Sequence, residues 1–254
     1  MAWVTKDSVE QYDHTPEPPK EYTKKEKASN WWHYNKWIVL GSVIAVVAVV
    51  WIAHDVIFQV RPDYKIAYVG LSDLPLDTAS ALETALTAFC DDRNGDGQVV
   101  VELSQYNIDF DENSNNTDAY SQMAGVTRLS ADLSGSEGPY IFILQDPEGF
   151  TAYTGALQYL DGTMPNEDNP ETDDWHQMVY HWKDCPVLSG LDLGEYHGLT
   201  VMDDQVGPNQ DVLADLYIGH RTAFSDEVEE GFAKDQALWE VLSAGAVSTV
   251  TEDE

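Results

Sequence analysis

Tyr140-Ile141-Phe142-Ile143-Leu144 (YIFIL) decides the fold: five apolar residues in unbroken succession suit a strand whose sheet is covered on both faces. Outward from it, helix and strand patterns alternate. On the carboxyl side, Asp146-Pro147-Glu148 opens a helix to about Leu160, with Pro147 in the first turn, where its missing N–H costs nothing. On the amino side, Thr117 or Asp118 caps a helix running through Leu133, with Met123, Val126, Leu129 and Leu133 as its apolar positions. Further back lie an acidic, Asn-rich loop from Asp109 to Asn116 and a strand from Gln98 to Tyr106 (QVVVELSQY). A helix over Pro75 to Phe89 precedes these, with Leu76, Ala79, Leu82, Leu86 and Phe89 on one face, and before it Tyr64 to Val69 (YKIAYV) forms the first strand.

This β-α-β-α-β-α order predicts an α/β domain with a mainly parallel open sheet and helices on both faces, because crossovers through helices are the low-cost way to join parallel strands. Residues 161–197 break the rhythm with Asp, Glu, Asn, Pro and Trp, and read as an inserted loop region. Leu199 to Met202 and Leu213 to Arg221 read as further strands. Asp226 to Ser243 reads as a last helix with Val228, Phe232, Leu238, Trp239 and Leu242 on its apolar side. The domain is expected over residues 64–246, with an acidic tail over 247–254, and that length suffices for one well-buried core.

Ahead of the domain, Trp37 to Ala53 (WIVLGSVIAVVAVVWIA) holds 17 residues without a charge. As a helix it covers about 26 Å, and extension to Phe58 brings it to the bilayer core of about 30 Å. Trp31, Trp32, Tyr34 and Trp37 cluster at one end and Trp51 and Phe58 at the other, as rings do at headgroup layers. A buried core helix and a cleaved signal peptide are the competitors. The first does not account for the Trp-rich ends, and the second would need a charged region of 36 residues and a small-x-small cleavage site that does not follow Ala53. An uncleaved signal anchor over residues 31–58 is therefore expected, with a disordered arm over 1–30 and a linker over 59–63. Lys20, Lys24, Lys25, Lys27 and Lys36 precede the span and only Arg61 and Lys65 follow closely, which places the N-terminus in the cytoplasm and the domain outside.

The charge divides at the same place. The 254 residues carry a net charge of -32, from 45 acidic and 13 basic residues; residues 1–53 hold six of each, so the outer part carries all of it. Such a domain repels polyanions, which excludes a nucleic-acid partner, and attracts cations. With 43% hydrophobic residues and two cysteines, the chain is neither disordered throughout nor a disulfide scaffold.

The segment Gln122 to Leu144 (QMAGVTRLSADLSGSEGPYIFIL) resembles the helix-then-strand of type II extracellular solute-binding proteins. The whole layout resembles uncharacterised single-pass surface proteins of Gram-positive anaerobes. The first resemblance covers roughly residues 64 to 160 and implies one lobe of such a fold, since two lobes need about twice this length.

Among site candidates, Asp92-Arg93-Asn94-Gly95-Asp96-Gly97-Gln98 resembles the first half of an EF-hand or dockerin calcium loop. Oxygen side chains of Asp92, Asn94 and Asp96 stand at positions 1, 3 and 5, Gly97 provides the sharp turn, and Gln98 stands where a backbone carbonyl binds. The bidentate acid of position 12 is replaced by Leu103, so Glu102, Asp91 or the Asp109, Asp111 and Glu112 group would have to complete the shell. A tight turn using Asn and Gly is the competing reading. The third glycine and the strand-to-helix setting of a dinucleotide fingerprint are missing.

His176, His181 and Cys185 with Asp173, Asp174 and Asp184 form a further candidate, for zinc, although their spacing fits no closed zinc pattern. Cys90 and Cys185 either pair outside the membrane or stay as free, buried thiols. Gly-x-Ser-x-Gly, His-Glu-x-x-His and phosphate-loop motifs are absent from the sequence. Three functions remain in view: a membrane-anchored extracytoplasmic domain binding a small molecule or protein, a hydrolase using carboxylates or a metal, and a structural part of a surface assembly. The first predicts an apolar crevice with few acids, near Gly70 to Asp73, the loop after Tyr106, and Gln145 to Glu148. The second predicts converging acids with raised pKa.

Overall fold

The computed structural model describes residues 21–57, 61–111, 119–136, 138–166, 174–198, 206–223 and 226–248. The chain divides into two compact units, Met1–Gln59 and Val60–Glu254. In the first, helix α1 runs over Lys24–Ile57. It begins earlier than the apolar run because Thr23 and Glu26 form a capping box: the Thr23 N–H and hydroxyl donate to the Glu26 carboxylate, both at 2.9 Å, and the Glu26 N–H donates back to Thr23 Oγ1. The last residues assigned to the arm are thus helical, and residues 1–20 lie outside the described part. The stretch Lys24–His54 is long and apolar enough to cross a membrane, and its apolar window is not buried anywhere in the structure.

The second unit is an α/β domain with a mixed five-stranded sheet in the order β2-β1-β3-β7-β4. The elements are β1 (Tyr64–Gly70), α2 (Leu76–Leu86), β2 (Val101–Asn107), α3 (Ala119–Ser134), β3 (Ile141–Leu144), α4 (Pro147–Thr154), β4 (Val179–His181), α5 (Pro186–Ser189), β5 (Glu195–His197), β6 (Val206–Pro208), α6 (Asn209–Leu213), β7 (Tyr217–His220) and α7 (Asp226–Leu242). Strands β2, β1 and β3 run parallel, as the crossover helices require, whereas β7 pairs antiparallel with both β3 and β4. The mainly parallel expectation therefore holds for the first three strands alone. β5 and β6 form a separate antiparallel pair.

Strand alternation sorts the core onto the two faces of the sheet. Tyr64, Ile66, Tyr68, Ile141, Ile143 and Ile218 point to one side, where α2, α5, α6 and α7 pack. Ala67, Val69, Phe142 and Leu144 point to the other, against Leu129 of α3 and Phe150 of α4. Buried Trp182 donates its indole N–H to Gln210 Oε1 at 2.9 Å, so a large ring enters the core without an unpaired donor.

Several sequence expectations need correction. The helix opened by Pro147 stops at Thr154, not near Leu160, because Gly155 adopts φ +57° and ends it in the left-handed conformation. The region 161–197 is no mere insertion: β4 joins the sheet and α5 joins the core. Residues 213–216 precede β7 instead of extending it, since α6 occupies Asn209–Leu213. Asp63 is no linker residue, being buried at the sheet's edge, and Met123 and Leu76 are exposed. The strand expected at Leu199–Met202, the caps Thr117 and Asp118, and residues 249–254 of the tail lie outside the described residues.

Candidate functional site

Ile218 and His220 stand two residues apart in β7 and so face the same side of the sheet, the side that α7 covers. His220 is 6% exposed and opposes Ile141 in the β3 register. Its ring lies 4.6 Å from that of Trp239 in α7 and 5.6 Å from that of Tyr140, which in turn lies 4.9 Å from Phe232. Burial pushes the imidazole pKa down to about 4, so the ring is neutral at neutral pH. Its Nδ1 is buried without a hydrogen-bond partner. That is an unusual position for a buried nitrogen, which normally finds one.

These four side chains line a cavity of about 590 Å³. Its rim holds the exposed carboxylates of Asp161, Glu229 and Glu240. Asp161 sits in a tight turn with Gly162 at φ +85° and accepts from the Thr163 hydroxyl at 2.7 Å and the Thr163 N–H at 2.8 Å, which holds its pKa below the usual carboxylate range. Arg221 also borders the cavity, but its guanidinium donates to the carbonyls of Leu133 and Gly135 and lies 5.4 Å from the Phe232 ring centre.

A second cavity, of about 640 Å³, is bordered by Arg61, Asp63, Arg93 and Asp235. Asp235 is buried, and burial raises its pKa despite the Arg93 guanidinium, whose Nη1 donates to both carboxylate oxygens at 3.0 Å. Arg93 also donates to the carbonyls of Asp63 and Gly231, and its Cζ stands 4.9 Å from the Tyr64 ring centre. Asp235 is thus the raised carboxyl that a hydrolase would require, yet it is committed to a salt bridge.

The Asp92 loop is a turn that binds its own backbone. Asp92 Oδ1 accepts from Gly95 N–H at 2.6 Å and Oδ2 from Gly97 N–H at 2.8 Å, Asn94 Oδ1 accepts from Asp96 N–H, and Asp96 Oδ1 accepts from Gln98 N–H, both at 2.8 Å. Gly95 and Gly97 take φ +75° and +87°, which explains the two glycines. Asp63 holds the loop from inside, accepting from the N–H groups of Arg93, Asn94 and Val100. Burial alone would push its pKa up, but these amides and the Arg93 charge outweigh it and leave Asp63 below the usual range. Glu102 lies in β2, where its carboxylate accepts from Ser104 Oγ at 3.3 Å, so the structure gives it a partner within its own strand. Glu112 lies outside the described residues.

His176 Nδ1–H donates to the Asp174 carboxylate at 2.9 Å and its ring stacks on Trp175, whereas His181 packs edge-on against Tyr217. Among the described residues, no group of three or more His, Cys, Asp or Glu side chains is placed to hold a metal ion. Cys90, half-buried, and Cys185, buried, are both free, with pKa values pushed up to about 12, chiefly by burial. At the carboxyl ends of the parallel strands, the expected crevice is bridged: Gln145 Oε1 accepts from Leu71 N–H at 2.9 Å, and Asp146 Oδ1 caps α4 through Gly149 N–H at 2.9 Å. The cavity bordered by His220 is beside Tyr140, just before β3, and therefore at the opposite end of the parallel strands.

The signal that marks His220 in the sequence is a histidine in register with Ile218, an inward position of a short apolar strand. Asp235 carries a similar signal, being an acid between Phe232 and Leu238 on the apolar side of α7, which requires a buried cation partner. Compared with protein-family models, with curated proteins and with solved structures, the chain matches none.

Proposed function

We propose that the chain is a membrane-anchored binding protein whose α/β domain lies outside the cytoplasm and takes a small ligand in the cavity beside His220. The observation that carries this reading is a cavity of about 590 Å³ bordered by the neutral, nine-tenths-buried imidazole of His220, by the edges of Tyr140, Phe232 and Trp239, and by polar side chains that include Gln158, Asp161 and Glu240. Its volume lies in the range usual for a small-molecule site, although its lining is more polar than apolar. The hydrolase alternative has less support, because the raised carboxyl, Asp235, is held by Arg93. A purely structural role gives no use to the cavity.

Anchoring rests on α1, and orientation rests on the lysines ahead of its apolar run. A cysteine introduced at the C-terminus of the full chain should react with a membrane-impermeant maleimide on intact cells; protection there reverses the orientation. Cys90 and Cys185 add little background, since thiols with raised pKa are poor nucleophiles. Ligand binding is tested by thermal melting of the full chain in detergent micelles against panels of amines, sugars, amino acids and carboxylates. A true ligand at a hundredfold excess over its Kd stabilises by about 2.7 kcal/mol, and this shift should vanish in Trp239→Ala. If no compound produces a shift that depends on Trp239, the cavity is no binding site.

Calcium at the Asp92 loop belongs to the same proposal as a stabilising ion, supported by three Asx side chains gathered on one turn. Melting points in calcium and in chelator should then differ, and Asp96→Ala should abolish the difference. Equal melting points remove calcium from the account.

A further inference from the structure

Helix α3 carries an outer face unlike the rest of the domain. Beyond residue 53 the chain holds 39 acidic against 7 basic residues, and α7 accordingly exposes Glu229, Lys234 and Glu240. Nine residues of α3 are exposed, and Arg128 alone among them is charged. Tyr120 and Met123, 82% and 71% exposed, stand near its amino end, whereas Leu129 turns to the core. At about 100° per residue, Tyr120, Met123, Thr127, Ala131 and Ser134 share the side opposite Leu129, and Arg128 pairs with Asp132 on its flank.

Two hydroxyls of this face are already used within the helix. Thr127 donates to the Met123 carbonyl and Ser134 to the Ser130 carbonyl, both at 2.7 Å. Covering them with an apolar surface therefore strips neither donor of its acceptor.

We infer that this face is a contact between two copies of the chain, with α3 antiparallel to α3 of the second copy and Thr127 opposite its own counterpart. Two properties select that occupant. The first is charge: two such domains repel wherever their carboxylates meet, and the outer side of α3 lets them approach without that cost, whereas a basic partner is drawn to the carboxylate-rich surfaces instead. The second is shape. With Thr127 on the two-fold axis, Tyr120 faces Ser134 of the second copy, Met123 faces Ala131 and Ala124 faces Ser130, so that each large side chain meets a small one. A helix of 16 residues offers about 24 Å of contact. One such face buries less than the roughly 800 Å² per partner of a standard stable interface, so the pairing is weak and reversible. The inference is independent of the cavity and of any ligand in it.

The test is oxidative cross-linking of the full chain in detergent micelles, with Thr127→Cys or Ser134→Cys as reporter and the wild type as the background from Cys90 and Cys185. Antiparallel pairing brings the two 127 positions together and leaves the two 134 positions about 21 Å apart along the helices. Thr127→Cys should therefore form covalent dimer at least about fivefold faster than Ser134→Cys, since cysteines whose Cα atoms are more than about 7 Å apart are not bridged. Adding Ala124→Glu and Ala131→Glu to Thr127→Cys brings four carboxylates into the contact and should cut that rate about tenfold. Reaction of the introduced thiol with a neutral maleimide should stay within about twofold, which separates lost pairing from a less reactive thiol. Both alanines are exposed and Glu is a good helix former, so the variant keeps the fold. Equal rates at 127 and 134, or a rate that the two glutamates leave unchanged, overturn the antiparallel pairing. No cross-linking above wild type overturns self-association and leaves the face to a partner of different sequence.

Discussion

Acidification should destabilise the α/β domain through His220 before most carboxylates titrate. In the unfolded chain the imidazole protonates near its ordinary value of 6.5, whereas burial beside Tyr140 and Trp239 holds it down to about 4 in the folded domain. Between those values the unfolded state carries the extra proton. His220's contribution is therefore fully present above pH 6.5, falls as pH drops, and levels off below about 4. At 1.36 kcal/mol per pH unit the loss comes to about 3 kcal/mol, a large part of the 5–15 kcal/mol typical of a domain. Other groups titrate in or near the same range: His181, also lowered by burial, acts in the same direction, and Asp235, raised by burial, acts in the opposite one. The wild-type curve alone is thus ambiguous, and the difference from His220→Gln isolates the effect. Urea unfolding of the full chain in detergent micelles, followed by the fluorescence of buried Trp182 and Trp239, should be measured from about pH 7.5 to 4.5. Between these limits the wild type should lose about 2–3 kcal/mol more than the variant. Curves that stay parallel to within about 0.5 kcal/mol would refute the burial argument, whatever the variant's absolute stability.

Three further outcomes follow from buried polar contacts and from one cap. Asp235→Ala leaves the Arg93 guanidinium without its carboxylate and should cost about 3 kcal/mol in urea unfolding, while Arg93→Met with Asp235→Leu should recover most of it. Asp63→Ala strips three backbone amides of their acceptor and should cost about 2–3 kcal/mol, against about 1 kcal/mol for Asp92→Ala on the exposed side of the same loop; equal costs would discount Asp63 as the loop's anchor. Thr23→Ala should fray the start of α1 by about 1 kcal/mol, visible as faster amide exchange in the first turn, with the apolar run unaffected.

Sequence patterns reveal those parts of the fold where one physical signal dominates. The strand at Tyr64, the helix ending near Leu86 and the run at Ile141 are legible because periodicity and continuous apolarity leave little choice. β4 is not, since Val179–His181 is too short to show a period and is stabilised by its pairing with β7. The direction of β7 is equally hidden, because parallel or antiparallel entry depends on where α6 delivers the chain. The candidate site is less legible still. The Asp92 loop advertises itself by composition, and part of that composition is explained by the turn's own hydrogen bonds. His220 belongs to a strand four residues long and gains its character from Tyr140, Phe232 and Trp239, which the chain brings to it from elsewhere.

The antiparallel seating of β7 against β3 has a consequence for how the domain is made. Ile141 pairs with His220 across much of the domain's sequence, whereas β1, β2 and β3 find one another through successive crossovers. During N-to-C synthesis the edge Ile141–Leu144, four apolar residues with unpaired backbone groups, must wait for most of the remaining chain before its second neighbour exists. Such an edge is a template for wrong pairing with other chains. Folding speed and aggregation are thus coupled at the very strand beside which the cavity forms, and chains truncated before Tyr217 should be the sticky ones.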